Sequence, residues 1–294
     1  MPVSSAEQPM PSYSLLERLL FPSVRFRPER LTEELRGKTV LITGASSGIG
    51  EQVAYLLRDI PVHLILVARR TDRLLDVQRA LATGAATVTV VTADLRAPDD
   101  LDRLIDVIHA LPAGLDVFVS NAGLSIHRTL AASLDRFHDF ERTMAINYFA
   151  PVRLLLAVLP LLRQNQGQVV NVSTINARLL PMPDWSAYQA SKTAFDSWLR
   201  SSSIELRQSG VSVTTFYLPL VRTEMIRPTT AYDRMPAMTP VHVAKMIARS
   251  MYSKQKAWRP WWLPPGELAS VLFRRPIEEV LLWRRGRRSR DADR

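Results

Sequence analysis

Tyr188 and Lys192 stand four residues apart in the stretch Tyr188-Gln-Ala-Ser-Lys192. On a helix that spacing puts phenol and ammonium on one face. A neighbouring cation favours phenolate and lowers a tyrosine pKa from its ordinary value of about 10, which suits the residue to general acid/base work. Such a pair also arises on exposed helices that carry no chemistry. Ser173 ends the β-rich run Gln168–Ser173, where its hydroxyl either bonds a substrate carbonyl oxygen or shapes a turn.

A second group of residues speaks of phosphate. Gly44-Ala-Ser-Ser-Gly48-Ile-Gly50 follows an apolar run and opens a helical stretch. Glycines let the backbone turn tightly and approach a pyrophosphate, which free N–H groups and the positive helix end stabilise. Turns between strand and helix use glycine for geometry alone as well, but the strand–loop–helix setting favours phosphate. The end of the following strand then distinguishes cofactors. A carboxylate there would bond the ribose 2′-OH of NAD, whereas an arginine would pair with the 2′-phosphate of NADP. The chain has Ala68-Arg69-Arg70 and no acid, so NADP(H) is favoured over NAD(H). The alternative is that both arginines only cap the strand in solvent.

These residues need a frame, and the pattern around them supplies one. Strand-like apolar runs recur at Thr39–Thr43, His63–Ala68, Thr87–Thr92, Asp116–Ser120, Gln168–Ser173 and Ser212–Leu218, with helical segments between them. Near-continuous apolar strands alternating with helices predict a parallel sheet covered on both faces, with ligands at the strand C-terminal ends. The fold class is α/β, a Rossmann-type doubly wound sheet. No repeat or linker divides it, so residues 37–256 read as one catalytic domain, flanked by an N-terminal extension, 1–36, and a C-terminal one, 257–294.

Composition narrows the chemistry. Of 294 residues 47% are hydrophobic and 22% charged, ample for a large core and unlike a disordered chain. Cysteine is absent, which excludes thiol nucleophiles, disulfides and sulfur-bound metals, and five scattered histidines suggest no metal site. The net charge of +10 raises the question of a polyanionic partner. Half of it lies in Lys256–Arg294, where ten Lys/Arg face five acidic residues. Glu7 and Glu17 stand where a signal peptide would be basic, and the longest uncharged apolar run, Leu154–Leu162, is too short to span a membrane. The expectation is a cytoplasmic protein.

Taken together, TGASSGIG (Thr43–Gly50), Asp94-Leu95, Asn121-Ala-Gly123, Asn147, Ser173, Tyr188-xxx-Lys192 and Pro219-Leu-Val-Arg-Thr223 resemble the classical short-chain dehydrogenase/reductase family over about Lys38–Met251. The resemblance implies a cofactor site in which Gly44, Ser46, Ser47, Gly48, Ile49 and Gly50 hold the diphosphate and Arg69 the 2′-phosphate. Asp94 and Leu95 would flank adenine, with Asn121, Ala122 and Gly123 beside the ribose. Pro219, Val221 and Thr223 would line the nicotinamide pocket. It further implies Tyr188 as proton donor, Ser173 as the stabiliser of the developing alkoxide, Lys192 at the nicotinamide ribose, and Asn147 holding a relay water. Ser120 and Leu220 depart from the family pattern, and Leu220 adds bulk beside the nicotinamide. Asn121–Arg128 and Met225–Met246 further resemble the fatty acyl-CoA reductase branch, which implies an acyl chain on the carbonyl substrate.

The extensions complete the reading. Leu15, Leu16, Leu19, Leu20 and Phe21 form a stripe on a short helix. After WRPWWLPPGE come two amphipathic pieces broken by Pro276, and an arginine-rich tail. Tryptophan beside arginine is the composition of an interfacial segment, so peripheral membrane contact is expected there, against packing of the tryptophans or a solvated tail. A homo-oligomer is expected from the family. A 3-oxoacyl or hydroxysteroid-type dehydrogenase is the alternative enzyme. A basic nucleic-acid-binding protein on a cofactor fold is the non-enzymatic alternative, but no recognition helix, RNA-binding motif or zinc pattern supports it. The joint presence of Ser173, Tyr188 and Lys192 favours catalysis.

Overall fold

The computed structural model describes residues 13–226, 232 and 234–292, with side chains through Arg284. Glu7 and the arginines beyond Arg284 therefore lie outside the described side chains. β1 (Thr39–Thr43), β2 (His63–Ala68), β3 (Thr87–Thr92), β4 (Val117–Ser120), β5 (Gln168–Thr174), β6 (Ser212–Leu218) and β7 (Ala257–Trp258) form one parallel sheet. Its order is β3-β2-β1-β4-β5-β6-β7, so the winding reverses between β1 and β4 and opens a crevice beyond their C-terminal ends.

Alternation along each strand sends side chains to two cores. Val40, Ile42, Leu64 and Leu66 point to one face, and Leu41, Ile65 and Val67 to the other. α3 (Gly48–Leu56), α4 (Thr71–Leu81) and α9 (Pro240–Ser253) cover the first face; α5 (Pro98–His109), α7 (Ala150–Gln164) and α8 (Ser186–Gln208) cover the second. Outside this frame lie α1 (Leu15–Leu20) and α2 (Pro28–Leu35) before the sheet, α6 (Phe137–Met144) leading into α7, and α10 (Leu263–Leu272) and α11 (Arg274–Ala292) after it.

Three details differ from the sequence expectation. β4 begins at Val117, one residue later than expected; the Asp116 backbone still bonds Thr39 and Gln168, and its carboxylate accepts from the Thr39 N–H at 2.8 Å. β7 falls in the stretch expected to be C-terminal extension: Ala257 and Trp258 pair with Thr215 and Phe216. Two residues carry no period to read. Pro276 sits in the first turn of α11, where its missing N–H costs nothing, and the chain instead breaks at Phe273.

One helix is longer than its apolar run. A π-helical turn, Ala145–Phe149, joins α6 to α7 into the 28-residue helix Phe137–Gln164, long and apolar enough by length and composition to cross a membrane. Its inner side, including Leu154, Leu155, Val158 and Leu162, is buried against the sheet, and Arg153 pairs with Asp102 of α5. It serves as a core helix of the sheet.

Candidate active site

The turn after β1 is built for close approach. Gly44 and Gly48 have φ of +68° and +61°, in the left-handed region that side chains rarely adopt. A Cβ on Gly44 would meet the Asn121 amide nitrogen at 2.9 Å, and one on Gly50 would meet the Gly44 carbonyl at 2.4 Å. Gly50 thus serves helix–strand packing. Ser47 caps α3 without a side-chain hydrogen bond, so the first N–H groups of that helix are left for an anion. This cradle fits a dinucleotide diphosphate.

Asn121 ties the turn to the end of β4. Its Nδ2 donates to the carbonyls of Thr43 at 3.0 Å and Gly44 at 3.2 Å. The Thr43 hydroxyl accepts from the N–H groups of Asn121 and Ala122 at 3.0 and 3.1 Å. Both sides of the crevice are thereby locked in register.

The two arginines after β2 part ways. Arg70 pairs with Glu224 at 2.9 Å, and Arg73 lies 4.0 Å from the same carboxylate. Arg69 lines the crevice and makes no salt bridge among the described residues. Asp94 does not line the cavity. Its carboxylate is held by Arg96 at 2.6 Å, and that hydrogen bond keeps it below the usual carboxylate range.

The catalytic candidates meet at the other end. β5 places Ser173 at its buried C-terminal end, and α8 carries Tyr188 and Lys192 one turn apart. Lys192 Nζ donates to the Val172 carbonyl at 3.3 Å and lies beside Gly123, where a Cβ would come within 3.4 Å of it. Asn147 sits in the π-helical turn, a feature often found at functional sites. Its Nδ2 donates to Leu124 O at 2.8 Å and to the Ser191 hydroxyl at 2.9 Å, while its Oδ1 accepts from Leu124 N–H at 3.0 Å. The side chain thus pins the Gly123–Leu124 segment to α8.

Burial sets the proton affinities. It raises the Tyr188 phenol above its ordinary value, opposed by a hydrogen bond from Thr174, and it pushes Lys192 down to about 8. The lowered phenol expected from the spacing is therefore corrected: desolvation decides the direction. At neutral pH Tyr188 keeps a proton to give.

One cavity of about 730 Å³ connects these parts. Gly44, Ser46, Ser47, Gly48 and Ile49 line it with Arg69 and Leu95 at one end; Asn121, Ala122 and Gly123 lie midway. Ser173, Tyr188 and Lys192 share the far end with Pro219, Leu220, Val221 and Thr223. Gly50, Asp94 and Asn147 stand outside its lining. The stretch 223–240, expected to shape the pocket, supplies Met225, Tyr232 and Met235 of its outer wall; sequence reasoning missed the Trp185 side. Trp185 stacks with Tyr232 at 5.9 Å, meets Tyr188 edge-on at 5.8 Å, and packs against His127 at 4.7 Å. Met182, Met225 and Met235 complete an apolar, adaptable lining. The signal available was Trp185, one helical turn before Tyr188.

This geometry is that of an oxidoreductase using a nicotinamide dinucleotide. The short chain dehydrogenase profile matches residues 38–233, and the chain belongs to that family. It is 40% identical over 225 residues to a fatty acyl-CoA reductase of Acinetobacter baylyi, covering 76% of each chain. It is 34% identical over 260 residues to a hydroxysteroid 11-beta-dehydrogenase 1-like protein of Gallus gallus, covering 85% of this chain and 87% of the other. A short-chain dehydrogenase from Sphingobium yanoikuyae in complex with NADPH superposes with a TM-score of 0.69 at 25% identity, covering 86% of this chain and 95% of that one.

Proposed function

We propose that the chain is an NADP(H)-dependent reductase of an aldehyde, ketone or acyl thioester carried on a long apolar chain. The observation that carries this reading is the single cavity joining a glycine-built anion cradle to Ser173, Tyr188 and Lys192 and then to an aromatic and methionine wall. The family relation to a fatty acyl-CoA reductase supports the acyl chain.

The bound cofactor supplies hydride to the carbonyl carbon. Arg69 holds the 2′-phosphate, and Gly44, Ser46, Ser47, Gly48 and Ile49 hold the diphosphate at the start of α3. Leu95 flanks adenine, with Asp94 outside the cavity lining and held by Arg96, and Asn121, Ala122 and Gly123 back the ribose. Pro219, Val221 and Thr223 bound the nicotinamide, with Lys192 on its ribose. Ser173 donates to the substrate oxygen. Tyr188 passes its phenolic proton to that oxygen as charge develops, and a water held at Asn147 restores it. The chain works in the cytoplasm as a homo-oligomer, in peripheral contact with a membrane through its C-terminal extension. A hydroxysteroid or 3-oxoacyl substrate is the second reading, favoured by the broad match to the Gallus gallus protein.

The test is NADPH oxidation with short aldehydes, 3-oxoacyl thioesters, a steroid ketone and long-chain acyl-CoA. The long-chain substrates are expected to give the highest kcat/KM, and Tyr188→Phe to lower it by about 10²–10⁴-fold. Unchanged turnover in Tyr188→Phe would remove the proton donor; a preference for the steroid would select the second reading.

A further inference from the structure

The two extensions do something that neither shows alone: each braces one substrate-side wall of the cavity. On one side the Glu17 carboxylate, buried at the base of α1, accepts from the Ala237 N–H at 3.1 Å and pairs with Arg222. Tyr13 adds its hydroxyl, which accepts from the Thr239 N–H at 2.9 Å and bonds His242 Nδ1 at 3.0 Å. These contacts frame both ends of the segment that carries Met225 and Met235. On the other side Glu267 of α10 accepts from Arg178 at 2.8 and 3.1 Å, and the Ser270 hydroxyl accepts from the Leu180 N–H at 3.3 Å. Those contacts hold the loop between β5 and α8 that carries Met182.

With their polar groups turned inward, both extensions turn apolar side chains outward. Leu15 is 85% exposed and Val271 74%, with Leu19, Trp261, Leu272 and Phe273 also more than half exposed. The two patches touch: the Trp261 indole N–H donates to the Leu19 carbonyl at 3.1 Å. Exposed apolar surface of this extent marks an interaction site. Its charge identifies the partner. Arg274 and Arg275 are exposed directly after Phe273, Arg274 pairing with Glu278 at 2.9 Å, and by sequence the chain from Lys256 onward holds ten Lys/Arg against five acids. A second copy docked on this face would bring two stretches of net positive charge together, whereas anionic lipid satisfies the apolar and the basic groups together.

We propose that α1, Trp261, α10 and the start of α11 form one docking surface for an anionic lipid bilayer, with the mouth of the substrate cavity braced beside it. This extends the C-terminal membrane contact proposed above, and rests on that reading, by making the N-terminal helix an equal part of the surface. Bilayer contact then bears on the two loops that admit the substrate, through Glu17 and Glu267.

The experiment is co-sedimentation of the full chain with vesicles of phosphatidylcholine alone and of phosphatidylcholine with phosphatidylglycerol. Binding is expected on the anionic vesicles and is expected to weaken with salt. Leu15→Glu/Leu19→Glu and Val271→Glu/Phe273→Glu are each expected to weaken it roughly tenfold or more, while reduction of a short soluble aldehyde is unchanged. Arg274→Glu/Arg275→Glu, wholly on the surface, is expected to weaken the preference for anionic vesicles, and an unchanged preference would overturn the electrostatic part of the proposal. Normal binding by the Leu15/Leu19 variant with loss in the Val271/Phe273 variant would overturn the two-terminus surface and leave the C-terminal contact standing. No vesicle binding by the unaltered chain would overturn both. Light scattering that shows the variants losing self-association in place of vesicle binding would overturn the proposal and assign the face to a second copy.

Discussion

Tyr188 and Lys192 are half-buried in the wall of the cavity, and desolvation disfavours whichever form is charged. Burial therefore keeps the phenol protonated and draws the ammonium down to about 8. For the proposed reduction this is the useful assignment, since Tyr188 as donor would have to arrive with its proton and Lys192 would have to be charged to hold a ribose hydroxyl and favour the emerging phenolate. The pH dependence follows from the lysine. Its lowered pKa means that it is charged below about 8 and neutral above, so kcat/KM for reduction is expected to be level up to that point. Above it the value should fall about tenfold per pH unit. Lys192→Arg, whose guanidinium stays charged, is expected to lower the plateau and remove the alkaline fall. A pH profile level to beyond about 9 in the unaltered enzyme would show that the ammonium charge is not needed.

At the scale of elements, the sheet was legible because six of its strands are short β-rich runs separated by helical segments. The glycine turn after Thr43 and the Ser173, Tyr188, Lys192 set were legible because their spacing is local. What was not legible is made by contacts distant in sequence. β7 exists only because Ala257 and Trp258 lie beside β6, and the aromatic wall forms because α8 brings Trp185 to Tyr232. The brace between α10 and the β5–α8 loop is of the same kind, since Arg178 and Glu267 are 89 residues apart. Glu267→Gln keeps the shape of that brace and removes its charge. It is expected to raise KM several-fold for a long-chain substrate with kcat held within about twofold, and to destabilise the fold by about 1 kcal/mol. KM measured against chain length checks it, because loss of stability alone would leave the ratio of KM for long and short substrates unchanged.

Across the whole molecule, the basic balance divides by purpose. The C-terminal excess is proposed to serve the docking surface, whereas Arg69 stands at the crevice without a salt bridge among the described residues and is proposed to meet the 2′-phosphate. Arg70 is the weaker candidate because Glu224 already neutralises it. Cofactor binding to the folded state raises stability by mass action, by about 2.7 kcal/mol at a hundredfold excess over Kd. In a chain of this size that is roughly 5 °C or more in Tm. NADPH is therefore expected to raise Tm more than NADH at equal concentration. Arg69→Ala is expected to bring the NADPH shift down to the NADH shift and leave the latter unchanged, while Arg70→Ala should reduce the difference far less. Thermal unfolding of the three proteins with each cofactor checks this without any substrate. Equal shifts for NADPH and NADH in the unaltered chain would remove the assignment of the 2′-phosphate to Arg69, because a phosphate paired with that guanidinium has to add to the binding of NADPH.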